Sequence, residues 1–250
     1  MKKTAVVIAV VMAVCPGAGG KSPPAGYFTA DCKNGELVIF GVSARQISRK
    51  KEIENARADA AYKAALYYGL KGKIVRRQTS GSGFYDFYTG TTKELSLLDN
   101  GGIDSCKEAL RYDSDTGVIR IENSVFVRFT FPAPGFNPAR YDGGSENGKP
   151  RWVQKLKPVE SSDYILAAGF AGRHLYLKDA ATASYENAIA ALLAVVKTNI
   201  KVMDTDYSNN GGSTLIVETI EGRLSGFHIL EIWIDPKTKA VWTLAAAKKM

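Results

Sequence analysis

The sequence predicts an α+β protein made of two tandem related modules, each with one helix packed on a small, mostly antiparallel sheet. Three observations carry that expectation. Short apolar strands ending in glycine precede Ala-rich helical runs at two places in the chain. Gly41 and Arg45 match Gly169 and Arg173 at one constant offset. Each helical run is followed by alternating segments divided by turn residues, an order that lays a helix on one face of a sheet. The composition supports such a body, with 45% hydrophobic and 23% charged residues in a chain of 250. That length suits one large core or two small ones, and the composition excludes collagenous, coiled-coil and wholly disordered classes.

The first strand is Leu37-Val38-Ile39-Phe40-Gly41, followed by a basic stretch and a helix from about Lys51 to Tyr68. Ala58, Ala61, Tyr62, Ala65 and Tyr68 fall on one face of that helix. Asp113-Ser114-Asp115-Thr116-Gly117 is a turn into the strand Val118 to Ile121. Ser124 to Phe131 alternates as the next strand until Pro132 stops it. Residues 133–150 are rich in Pro and Gly and read as a linker between modules at 25–132 and 151–250.

The second module opens with Tyr164 to Gly169 and a helix from about Ala180 to Lys197, for which Asp179 suits the N-cap. Tyr185, Ala188, Ile189, Leu192, Val195 and Val196 form its apolar stripe. Ala56 to Leu66 lies over Ala183 to Leu193, with one residue lost after the glycine match, and equivalent positions are expected to be buried in both helices. Leu215 to Glu221 is a strand, and Phe227 to Ile234 pairs with Ala240 to Ala247 around the turn Asp235-Pro236-Lys237-Thr238-Lys239.

Residues 1–20 read as a secretory signal, with Lys2 and Lys3, an apolar run from Ala5 to Val14, then Cys15-Pro16-Gly17. The run is shorter than the roughly 20 residues that cross a bilayer. Cys15 sits where the lipid-bearing cysteine of a bacterial lipobox sits, although Val14 and Met12 stand where smaller and Leu-like residues are usual. The alternative is cleavage near Ala18 or Gly20 that discards Cys15. Either outcome leaves Cys32 and Cys106 as an even pair in an exported protein, read as a disulfide or as two thiols. Losing Lys2 and Lys3 lowers the formal charge from +8 to +6. The remaining basic groups, Arg45 to Lys51 and Lys71 to Arg77, suit a solvated surface, anionic headgroups or acidic glycans; nucleic acid is not an expected partner of an exported chain.

Pro150-Arg151-Trp152-Val153, the strand Tyr164 to Gly169, the Ala-rich helix and the closing Glu231-Ile232-Trp233-Ile234-Asp235 hairpin occur in that order. Over about residues 148–250 this order resembles the Lpp-twenty lipoprotein family of the bacterial envelope, and is similar to a module of a flagellar outer-ring protein. The resemblance implies an exported, lipid-anchored, non-enzymatic protein whose partners are envelope proteins or the cell wall, with the membrane reached through the N-terminal lipid. It supplies no catalytic residues. The alternative function is a soluble periplasmic binding protein for an anionic or glycan ligand.

Other chemistry is weaker. Gly169-Phe170-Ala171-Gly172 lies too far before its helix for a phosphate loop. His174 and His228 have no metal-binding neighbours at motif spacing and read as surface or rim residues. Asp113-x-Asp115-x-Gly117 is a turn rather than a calcium loop. Thr79 to Thr92 reads as a mobile, aromatic, Gly-rich loop and a speculative contact surface. No catalytic residue, metal ligand or cofactor is expected.

Overall fold

In a computed structural model of the chain, the described residues run from Tyr27 to Lys248, except Asp31 and the stretches 82–87, 99–101, 113–116, 142–143, 147, 155–158, 161–162, 197–198 and 208–212. The expected signal with Cys15 and most of the Asp113–Gly117 turn lie outside them. In chain order the elements are β1 (Tyr27–Thr29), β2 (Glu36–Ala44), α1 (Arg49–Tyr68), β3 (Leu70–Gly81), β4 (Tyr88–Leu97), α2 (Gly102–Ala109), β5 (Arg111–Tyr112), β6 (Val118–Ile121) and β7 (Ser124–Pro132). There follow β8 (Ser145–Glu146), β9 (Lys149–Pro150), α3 (Arg151–Gln154), β10 (Val159–Glu160), β11 (Tyr164–Ala171), α4 (Leu177–Val196), β12 (Asn199–Tyr207), β13 (Ser213–Leu224), β14 (His228–Ile234) and β15 (Val241–Lys248). The fold is α+β, with helices packed on antiparallel sheets.

The opening strand and helix recur at one spacing in the two halves, while the first half carries α2 and β5, which have no counterpart in the second. Both helices span 20 residues and begin 128 positions apart. The opening strand pairs with the last strand of its own unit, β2 with β7 and β11 with β15, and the penultimate strand flanks that last strand. Helix and strand approach so closely that only glycine fits: a Cβ on Gly41 would lie 1.9 Å from the Ala56 carbonyl oxygen, and one on Gly169 would lie 2.0 Å from that of Ser184. These pairs also differ by 128, so no residue is lost between glycine and helix, and the expected one-residue shift is corrected. Within the helices the common buried positions are Glu52 with Ala180, Ala56 with Ser184, Ala60 with Ala188, Ala61 with Ile189, Ala64 with Leu192 and Ala65 with Leu193. Ala58 and Tyr68, expected on the buried stripe, are exposed, while Val195 and Val196 are half-buried at the helix end.

The halves do not stand apart on a linker. Their hairpins merge into one four-stranded sheet in the order β12-β13-β3-β4, where β13 pairs β3 from Ser213 with Gly81 to Leu224 with Leu70. Much of the expected mobile loop Thr79 to Thr92 is therefore strand. Part of the basic run on β3 meets cross-strand carboxylates, Lys73 with Glu221 at 3.4 Å and Arg76 with Glu218 at 3.1 Å. The largest apolar cluster holds the C-terminal half of α4 (Tyr185, Ile189, Leu192, Leu193) between this sheet (Leu70, Ile74, Ile220, Leu224) and β11 and β15.

Other long-range contacts close the body. β1 crosses to pair with β14, Tyr27 with Trp233 and Thr29 with Glu231. The stretch expected as a linker is anchored to the body through a few of its described residues: Ala133 and Phe136 are buried beside α1 and α2, and Ala139 is buried with Trp152, Leu166 and Trp233 on the outer face of the second sheet. Pro and Gly there shape turns, and the few apolar residues are the ones that anchor. The expected Cys32–Cys106 disulfide is not formed. Cys106 is a free thiol buried on α2 in the first unit's core, where burial pushes its pKa up, while Cys32 Sγ accepts the Val38 N–H at 3.4 Å.

Candidate functional site

One end of the molecule collects the loops that join each opening strand to its helix. Residues 45–48 run from β2 into α1, and residues 172–176 run from β11 into α4. At their centres stand Ile47 and Leu175, again 128 apart, the first fully and the second almost fully exposed. Tyr176 is exposed beside Leu175. Arg45, Lys50, Arg173 and Lys237 are exposed around them, and Lys178 is half-exposed.

The turn between β6 and β7 fastens the two loops together. The Arg45 N–H donates to the Asn123 carbonyl at 2.8 Å. The Asn123 side chain donates to the Leu175 carbonyl at 3.2 Å and accepts from the Leu177 N–H at 3.3 Å. Ser124 Oγ accepts the Lys178 N–H at 2.9 Å. The first N–H groups of α4 thus find acceptors on a distant turn, and Asp179 lies within the first turn of the helix instead of capping it. At the other loop, buried Glu52 accepts the Gln46 N–H at 3.1 Å and an Arg120 N–H at 3.2 Å. Lys239 reaches Glu122 at 3.4 Å and brings the β14–β15 turn to the same end. The result is a rigid, cationic tip with two projecting aliphatic side chains. Sequence reasoning found Arg45 and Arg173 and missed Ile47 and Leu175; the isolated apolar residue inside a polar loop, repeated at the offset of the glycines, was the available signal.

A second feature is an open cleft of about 1120 Å³ lined by Thr29, Lys33, Pro138, Arg140, Tyr141 and Glu231 among others. On its wall the Trp152 indole N–H donates to Glu231. This mixture of cations, a carboxylate and aromatic rings suits a polar ligand.

The two histidines separate. His174 is exposed on the second loop of the tip, as expected. His228, expected at the surface or rim, is 2% exposed: Nδ1 donates to the Gly226 carbonyl at 2.8 Å, Nε2 accepts the Ala139 N–H at 3.4 Å, and the rings of Phe136 and Tyr164 pack against it. Burial is the main cause that drives its pKa down, to about 4, and the Gly226 bond partly opposes it. Because the unfolded histidine, near 6.5, binds a proton that the folded one refuses, this residue stabilises the fold fully above pH 6.5. That contribution is lost as pH falls towards 4, a difference of about 3 kcal/mol. Denaturant titrations at pH 7 and pH 4 are expected to show a loss larger by about that amount in the wild type than in His228→Asn; equal losses would refute the assignment.

Among the described residues no three His, Cys, Asp or Glu side chains converge as metal ligands, and no helix is long and apolar enough to cross a membrane. Compared with protein-family models, curated proteins and solved structures, the chain finds no match.

Proposed function

We propose that this chain is an exported, lipid-anchored, non-enzymatic protein of the bacterial cell envelope, built from two copies of one unit and acting as an interaction module. The observation that carries the reading is the tip: two equivalently placed loops, locked together by Asn123, present Ile47 and Leu175 to solvent within a ring of cations. A globular protein gains no folding energy from holding aliphatic side chains in water, so their rigid display fits a contact made with something else. The leader with Cys15 supports export and anchoring, and the order of elements over 148–250, which resembles the Lpp-twenty family, supports an envelope location on the periplasmic side or surface. Its partners are then envelope proteins, the wall or the membrane itself. In cells, the chain is expected to incorporate radioactive palmitate at Cys15 and to accumulate as precursor when lipoprotein signal peptidase is inhibited. A soluble mature form beginning after Gly20 would refute the anchor.

The cleft beside Arg140 and Tyr141 favours a second reading, a periplasmic binding protein for a small anionic or glycan ligand. An unmoved thermal midpoint across such ligands would count against it.

A further inference from the structure

We infer that the tip formed by residues 45–48, 172–176 and 235–239 docks on a membrane surface rich in anionic lipid, with Ile47 and Leu175 entering the headgroup boundary. The inference rests on the proposed interaction role of this tip and names its partner. Three independent observations lead to lipid rather than to a protein partner.

The first is shape. Ile47 and Leu175 stand free of their surroundings, whereas a protein interface would ask for a flatter, fully packed apolar core. Single aliphatic side chains on rigid loops match a fluid surface that closes around each of them.

The second is charge. Arg45, Lys50, Arg173 and Lys237 are exposed around the aliphatic pair. The carboxylates of the same end are largely committed: Glu52 is bound by Arg120, Glu122 faces Lys239, and Asp235 accepts the N–H groups of Lys237 and Thr238. Asp179 is the exposed carboxylate left on this face among the described residues. A net cationic rim around apolar tips is complementary to phosphate headgroups over acyl chains.

The third is the position of the chain start. β1 runs antiparallel to β14, with Tyr27 opposite Trp233 and Thr29 opposite Glu231, so the chain enters the fold beside the end of β14 that leads into the 235–239 turn. The segment between Cys15 and Tyr27 spans at most about 40 Å at roughly 3.4 Å per residue. A lipid on Cys15 would thus hold this end, and not the opposite one, towards the bilayer.

The test uses a chain starting at Lys21, which keeps every described element and removes the leader and Cys15. Sedimentation with vesicles of phosphatidylglycerol mixed into phosphatidylcholine is expected to carry the protein down, and pure phosphatidylcholine vesicles are not. The pairs Ile47→Glu with Leu175→Glu, and Arg45→Glu with Arg173→Glu, are each expected to weaken binding at least roughly tenfold, with the arginine pair also flattening its salt dependence. All four side chains are exposed, so the thermal midpoint serves as the folding check. Binding that is absent, equal on neutral vesicles, or unchanged in both double variants would overturn the inference. A tip-dependent crosslink to an envelope protein, without vesicle binding, would overturn it while sparing the interaction role, and palmitate labelling reports the anchor separately.

Discussion

Alanine at Gly41 is expected to destabilise the protein by at least about 3 kcal/mol, and alanine at Gly169 by a similar amount. The added methyl at residue 41 would lie 1.9 Å from the Ala56 carbonyl oxygen and 3.1 Å from the Ala60 Cβ; at residue 169 it would lie 2.0 Å from the Ser184 oxygen and 2.2 Å from the Ala188 nitrogen. These obstacles are helix backbone, which cannot rotate away as a side-chain end can. The helix must rise off its sheet, and the small residues that seat it, Ala56, Ala60 and Ala64 in the first unit, then lose contact together. As a control, alanine at Gly172, where a Cβ meets nothing within 4 Å, is expected to be nearly neutral. Midpoints of denaturant unfolding for the three variants check this, and a Gly41→Ala protein as stable as Gly172→Ala would contradict the close approach.

Lys63→Met is expected to cost about 3–5 kcal/mol, because it strands the other half of a buried ion pair. Lys63 is 5% exposed, and its Nζ donates to Asp59 Oδ2 at 2.6 Å and to the Phe40 carbonyl at 2.8 Å, 5.0 Å from the centre of the Tyr185 ring. Asp59 Oδ2 also accepts the Val42 N–H at 2.7 Å. β2 is the edge strand of its sheet, so Phe40 and Val42 carry backbone groups that no strand satisfies, and the ion pair of α1 satisfies them. In the second half neutral residues stand at these positions: Asn187, 128 positions after Asp59, donates to the Phe170 carbonyl at 2.6 Å, and Ala191 stands at the position of Lys63. The double variant Asp59→Asn with Lys63→Met leaves no unpaired buried charge and is expected to recover part of the loss. A double-mutant cycle with no coupling would reject the pairing.

Much of the fold was legible because its signals are local. Periodicity located both helices within three residues at each end, and the Asp235–Lys239 turn showed itself through Asp235, whose side chain accepts two N–H groups of its own turn. What the sequence hid are features whose partners are distant. β1, β3 and β12 escaped notice because a short or polar strand is defined by the edge it joins. α2 has only eight residues, too few for a clear period. His228 has the same letters around it whether it faces water or, as here, Phe136 and Tyr164.

The candidate site divides in the same way. Its arginines are visible in the sequence as Gly41-x-x-x-Arg45 and Gly169-x-x-x-Arg173, but nothing local says that the two loops meet. That meeting depends on Asn123, whose backbone carbonyl holds one loop while its side-chain amide holds the other.

By itself, then, the sequence determined the α+β class, the two long helices and the closing hairpin, all through spacing along one chain. Only the tertiary structure decided that the halves share a sheet instead of standing on a linker, that Cys106 lies apart from any bridge, and that Ile47 and Leu175 project from one end. Spacing specifies which residues face a common side of an element. Which element covers that side is set by burial and hydrogen-bond satisfaction between segments more than a hundred residues apart.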